Sequence, residues 1–311
     1  MRNSSTNQVL EFIKRDKNVL AITGDLGNEI YDYIKIYYPK QYIDYGISEC
    51  NMVASSAGLA RQGKIPFIYS VTNFMSMRAF EFIRNTVCPF NANVKFLGRS
   101  AGFASSYLGM THQGTEDIAL LRSLPNMIII NPATPIEARE ATKAIYDYEG
   151  ACYLRLEGAG EPELFDEQYK FRIGKGQIIR EGSDVTIIST GSIINEAVKA
   201  AEKLAEKKVS VQLINMPTIK PLDSEIIIQA TLKTKNIITL EEHSIYGGLG
   251  SAVSEVLAEN NCNARFERMG LKDSFVKGFG TREESLILNE LDKNNIMYKI
   301  EEMLGMRETE K

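Results

Sequence analysis

Short apolar runs without polar alternation recur along the chain, and most are followed by a stretch with helical spacing. Val19–Thr23, Ile65–Tyr69, Val94–Leu97, Met127–Ile130 and Cys152–Leu156 read as strands in the first half. Helices are expected from about Asn51 to Arg61, Asn73 to Val87 and Glu116 to Leu124, and Pro135 opens another at its first position. Strands that do not alternate are buried on both faces, so the expected class is α/β, a mostly parallel sheet covered by helices. Residues 157–176 lose this rhythm and gather Gly, Pro and charge. The rhythm then returns with Val185–Ser189, a helix from about Asn195 to Lys207, Val209–Ile214 and a helix from Asp223. Ile237–Leu240, a helix from Gly250 to Glu259 and a last amphipathic helix over Glu283 to Leu304 complete it. Two α/β domains follow, over 1–160 and 179–311, joined by a linker at 161–178.

Open parallel sheets bind ligands outside the carboxyl ends of their strands. Asp25 and Gly27, Ser70 to Phe74, Gly98 to Ala104 and Asn131 all follow strands and are expected to share one edge. Glu49 can join them. Ser48 suits the N-cap, so Glu49 falls in a first turn, where the helix dipole favours an acid. By position alone it is a dipole-matched surface acid. Behind it Ala54, Ala57, Gly58 and Ala60 leave little bulk, so a neighbour can approach this helix closely. No G-x-G-x-x-G and no phosphate-binding G-x-x-x-x-G-K-[ST] loop occurs, which leaves the edge as half of a site rather than a self-contained nucleotide pocket.

Composition narrows the classes. At 44% hydrophobic and 24% charged, with scattered Lys and Arg and a net charge of −4, the chain has no footprint for nucleic acid or an anionic membrane. Its apolar runs are strand-sized and its first residues hold no apolar signal core, so a cytoplasmic protein is expected. Cys50, Cys88, Cys152 and Cys262 have no C-x-x-C spacing and read as buried free thiols. The two histidines, His112 and His243, exclude a His-rich metal site. Proton chemistry at neutral pH falls to them or to a perturbed carboxylate.

The run Ser48-Glu49 through Ala60, then Phe74 to Arg84 and Thr111-His112-Gln113-Gly114 through Asn126, resembles the pyrimidine-binding domain of transketolases. Thr111 to Gly114 is also similar to deoxyxylulose-phosphate synthase. Met216 to Asp223 and Glu241-Glu242-His243 through Val253 resemble the C-terminal domain of the same family, in the same order. The family's diphosphate-binding domain, with its G-D-G metal motif, has no counterpart in these residues. The resemblance therefore implies the C-terminal subunit of a split transketolase. It implies thiamine diphosphate as cofactor, with Mg2+ or Ca2+ bound mainly by an N-terminal partner subunit, and self-association to an α2β2 assembly. Glu49 matches the glutamate that hydrogen-bonds N1′ of the aminopyrimidine, which prepares the ring to take the C2 proton. Phe74 matches the aromatic that stacks on the pyrimidine, and Arg78 follows it in the motif. Asp25 matches an acid near the thiazole side. His112 matches the histidine that contacts the donor hydroxyls, and His243 reads as structural.

Departures concentrate on the substrate side. The family places an acid where this chain has Leu108, a histidine where it has Ser100, and a phosphate-gripping arginine where it has Gly158. Ordinary phosphosugars are thus doubtful substrates, unless Arg99, Arg155 or Arg78 supplies the missing cation. The implied activity is transfer of a two-carbon ketol unit between sugar-like compounds. The alternatives are a β subunit of a 2-oxoacid dehydrogenase or decarboxylase, a deoxyxylulose-phosphate-synthase-like enzyme, and a non-catalytic regulator. Thr111-His112-Gln113-Gly114 favours ketol transfer, and the presence of Glu49 disfavours the regulator.

Overall fold

The computed structural model describes residues 1–27, 29–158 and 161–306. Its first layer set runs α1 (Arg2–Arg15), β1 (Val19–Thr23), α2 (Glu29–Tyr37), β2 (Tyr42–Asp44), α3 (Glu49–Arg61) and β3 (Ile65–Val71). It continues through α4 (Phe80–Phe82), β4 (Lys95–Arg99), α5 (Asp117–Arg122), β5 (Met127–Ile130), α6 (Pro135–Asp147) and β6 (Ala151–Leu156). The second contains β7 (Gln177–Arg180), β8 (Val185–Ser189), α7 (Ile194–Glu206), β9 (Val211–Asn215), β10 (Thr218–Lys220) and α8 (Ser224–Thr234). After these come β11 (Asn236–Ser244), α9 (Leu249–Glu259), β12 (Arg265–Leu271), α10 (Arg282–Leu288) and α11 (Lys293–Met303).

The larger sheet has the order β10-β5-β6-β4-β3-β1-β2, parallel except for β10. The smaller has the order β12-β11-β8-β9-β7, parallel except for the edge strand β7. In the first sheet the order reverses at β1, with β2 on one side and β3 on the other, so the crevice at the carboxyl ends of β1 and β3 is a topological switch point. The strands that flank it, β1, β3, β4 and β6, are almost wholly buried, which is why they read as continuous apolar runs.

Several elements went unread in the sequence: α1, α2, β2, β7, β10 and β12. The last helix is two, because Asn289–Asp292 interrupts it and Asp292 caps α11 by accepting from Asn294 N at 3.1 Å. The segment expected as one helix from Asn73 to Val87 contains π turns at Phe74–Arg78 and Ile83–Val87 around the short α4. The two layer sets are stitched together. β10 follows β9 in the chain yet pairs with β5 of the first sheet, Thr218 opposite Ile130. In return Phe103, from the loop after β4, is fully buried in the second apolar core with Ile187, Leu240 and Leu271. The expected domain junction at 160 lies outside the described residues. Downstream of it Tyr169 and Glu163 tie the linker to α6, through Glu137 and the Ile136 N–H. All four cysteines are free thiols, Cys88 and Cys152 buried, Cys50 and Cys262 half-buried. Among the described residues no helix is long and apolar enough to cross a membrane.

Candidate active site

Glu49 is the first residue of α3, and the turn before it is set by a close approach. A Cβ on Gly24, just past β1, would come within 2.8 Å of the Gly46 carbonyl, so glycine is needed for the β1 end to meet the Tyr45–Ser48 turn. Ser48 stands at the N-cap but makes no capping bond with its side chain. The Glu49 carboxylate is only 3% exposed, which separates it from the surface acid that its position alone suggested. Its Oε2 accepts from Arg78 Nη1 at 2.9 Å. Arg78 is half exposed, and its guanidinium carbon lies 4.7 Å from the centre of the Phe74 ring. That ring meets the His112 imidazole edge-on, centroids 5.1 Å apart and planes at 73°. Glu49, Arg78, Phe74 and His112 thus form one continuous chain of contacts. Phe74 and Arg78 stand at the two ends of a π turn, and such turns recur at functional sites.

His112 is half-buried, with Thr111 Oγ1 at 2.9 Å from Nδ1. Burial, and after it the Arg99 cation, holds its pKa below the ordinary value, so the ring is neutral at pH 7. A cavity of about 790 Å³ opens beside it, lined by Asn73, Phe74, Arg78, Glu116, Leu120 and Phe275 among others. Burial pushes the Glu116 carboxyl up. Asp25 follows β1 in the left-handed region, φ 55°, and is exposed; its backbone N–H donates to Asp44 Oδ1 at 2.9 Å. Ser100 is buried and also left-handed, φ 60°, accepting from Arg99 Nε at 3.3 Å and Ser105 Oγ at 2.9 Å. Leu108 lies exposed in the tight turn Ser106–Leu108. Gly158 sits beside Ala104, and a Cβ there would stand 3.3 Å from Glu161 Oε1.

Arg155 is not where the sequence put it. Expected in the substrate pocket, it is fully buried and its donors are taken. Nε donates to Asp117 Oδ2 at 2.9 Å, Nη1 to Glu157 Oε1 at 3.1 Å, and Nη2 to the carbonyls of Gly114 at 2.7 Å and Glu242 at 3.0 Å. Glu242 also pairs with Arg282 and accepts from Phe103 N at 3.0 Å, so this network joins the two layer sets beneath the His112 loop. Burial, and after it Glu242, pushes the Glu157 carboxyl up to about 7. Charged residues inside a non-alternating strand were the signal for such a network. Its partners Asp117 and Glu242 are too distant in sequence to be found by spacing. His243 is buried as a structural residue, its pKa pushed down to about 4 by burial. Its Nδ1 lies 2.7 Å from the Ser244 carbonyl, and its Nε2 accepts from Ala119 N at 3.4 Å.

A buried carboxylate at a helix start beside an aromatic ring fits the pyrimidine half of thiamine diphosphate. Among the described residues no group of three His, Cys, Asp or Glu is placed to hold a metal ion. The outer face of α3 is small and open: Asn51 and Gly58 are exposed, and a Cβ on Gly58 would meet nothing within 4 Å.

The pattern of the transketolase pyrimidine-binding domain matches residues 1–158, and that of the transketolase C-terminal domain matches residues 174–293. The chain is 37% identical over 306 residues to a putative transketolase C-terminal section of Methanocaldococcus jannaschii, covering 97% of this chain and 95% of that one. It is 36% identical to an apulose-4-phosphate transketolase subunit of Phocaeicola vulgatus, over 95% of this chain and 94% of the relative. A solved split-gene transketolase, described as an inactive beta4 tetramer, superposes with a TM-score of 0.88 at 31% identity, covering 99% and 98% of the two chains. The chain belongs to the transketolase family and corresponds over its length to the C-terminal subunit of split transketolases.

Proposed function

We propose that this chain is the pyrimidine-binding half of a cytoplasmic, thiamine-diphosphate-dependent enzyme. With an N-terminal subunit that holds the diphosphate and its Mg2+ or Ca2+, it would transfer a two-carbon ketol unit between sugar-like substrates as an α2β2 assembly. The observation that carries this reading is the buried Glu49 carboxylate in contact, through Arg78, with Phe74 and the His112 ring. When bound, the cofactor supplies a nucleophilic carbon that carries the ketol unit. Glu49 holds or shares a proton at the ring nitrogen, and its burial keeps water from competing for that bond. Phe74 offers an apolar ring face. His112, neutral at pH 7, presents a ring nitrogen that can donate to or accept from a substrate hydroxyl. Asp25 stands at the same sheet edge, open to solvent, for the thiazole side.

The substrate side reads as an altered pocket. Ser100 is bonded within its own loop, Leu108 presents an apolar side chain, and an arginine at Gly158 would meet Glu161. Arg155 is withdrawn into the network and Arg78 is held by Glu49, which leaves Arg99 as the half-buried cation near His112. One relative is named for apulose-4-phosphate. In this chain we expect discrimination against ordinary phosphorylated aldoses, because their phosphate would lose water without a full set of charge pairs. The test is activity of the reconstituted pair on ketose and 2-oxoacid donors, with matched phosphorylated and unphosphorylated acceptors. Ketol transfer from ketoses is expected. Turnover of 2-oxoacids alone would move the assignment to the dehydrogenase, decarboxylase or synthase class. A preference for the phosphorylated acceptor of about tenfold or more, ~1.4 kcal/mol in kcat/KM, would contradict the altered pocket.

A further inference from the structure

Asn73 stands at the carboxyl end of β3, one residue before Phe74, and is more than nine-tenths buried. Its side-chain nitrogen donates to carbonyls of the His112 loop: Gln113 at 3.0 Å, Thr111 at 3.3 Å and Met110 at 3.4 Å. Its Oδ1 is buried and, among the described residues, has no hydrogen-bond partner. That settles which way the amide points. Turned over, the oxygen would face three carbonyls and the nitrogen would lose all of them. Oδ1 lies instead against Gly114, where a Cβ would come within 3.2 Å of it.

The bonds flank His112 on both sides, at Thr111 and Gln113. The other hydrogen bonds at 111–113 are local to the loop, such as His112 N to the Gly109 carbonyl at 2.9 Å and Gln113 Nε2 to the Ser106 carbonyl at 3.4 Å. Gly114, one residue on, is fixed separately by Arg155 and by its pairing with Gly102. The segment that carries the imidazole is therefore tied to the segment that carries Phe74 and Arg78 by one side chain.

We propose that Asn73 is the positioning residue for His112: its amide sets the spacing between the His112 loop and the Phe74–Arg78 turn. The inference rests on the roles read above for His112 and Phe74, but its geometry can be tested apart from them.

The variants are Asn73→Ala and Asn73→Ser, the second keeping one small donor and covering the case in which the first does not fold. His112 reports directly in the isolated chain. The other histidine, His243, is fully buried with its pKa pushed down to about 4, so the half-buried His112 gives the one solvent-facing imidazole resonance of the two. In the unaltered chain the His112 midpoint lies below the ordinary histidine value. Released from Asn73, the ring gains water and the midpoint rises by about half a pH unit, and amide exchange at residues 110–113 accelerates about tenfold. With the N-terminal subunit the same variants lose about tenfold or more in kcat, as misplacement of a reacting group predicts, while cofactor affinity stays within about twofold. A residue needed only for stability would lower the melting temperature and leave the His112 midpoint where it was. An unchanged midpoint and unchanged exchange in folded Asn73→Ser overturn the proposal. Absence of ketol transfer in the unaltered pair would contradict the functional reading instead, and the titration would still decide the role of Asn73.

Discussion

An acid at a helix start needs no function to be there; burial is what marks Glu49. With 3% of its surface exposed, it sits in the first turn of α3 and is bonded by one arginine. Glu49→Gln preserves the shape and removes the charge. We expect turnover to fall by about 10²–10⁴, the range for positioned proton transfer, with slower C2 proton exchange on the bound cofactor. The melting temperature should hardly move, since Arg78 is half exposed and returns to water. Unchanged C2 exchange would reduce Glu49 to a helix-start acid. Arg155 is the opposite case. Its partners Asp117 and Glu157 are as buried as it is, so Arg155→Met strands two carboxylates and should cost about 3–5 kcal/mol in urea unfolding. A variant as stable as the parent would show that the network is dispensable. Local motifs picked out Glu49, His112 and Phe74 as candidates, and the structure places them in one chain of contacts. The sequence misplaced Arg155 because burial depends on Asp117 and Glu242, one on a helix after the loop and one in the other layer set.

Elements were legible where the apolar pattern was strong. β1, β3 to β6 and β8 are buried on both faces and appear as unbroken runs. α1 was missed because its first turns are polar and bury Ser5 and Thr6, with apolar residues gathered from Val9 onwards. β2 has three residues, and β12 is an edge strand that mixes Arg265, Glu267 and Arg268 with apolar positions. The π turns around α4 were invisible because one extra residue per turn barely alters an apolar period. α3 carries a prediction of its own. Gly58 faces open space, so bulk there should leave the subunit intact and obstruct only what packs on it. Gly58→Leu is expected to keep the melting temperature within a few degrees and to weaken self-association by about tenfold or more, ~1.4 kcal/mol, in sedimentation equilibrium. Unchanged association would place the subunit contact elsewhere.

Across the whole molecule, buried charge ties the two layer sets together and sets the response to pH. Glu137, Glu157 and Glu241 are pushed up to about 7, burial being the first cause for each. Unfolded, they titrate near 4.5, so between 4.5 and 7 the folded chain holds protons that the unfolded chain has released. Their contribution is greatest below 4.5 and is lost as pH rises through 7. His243, pushed from 6.5 down to about 4, works in the other direction below 6.5. His112 is lowered too, so three raised acids stand against two histidines, and urea midpoints are still predicted to rise as pH is lowered from about 8 to about 6; a flat or falling profile would contradict the buried acids. The proposed function makes this molecule half of a cofactor site, with Glu49, Phe74 and His112 gathered at the switch point of one sheet. Calorimetric titration of thiamine diphosphate with Mg2+, into the isolated chain and into its mixture with the N-terminal subunit, tests this most directly. Saturable micromolar binding is predicted for the mixture alone, and micromolar binding to the isolated chain would contradict the half-site.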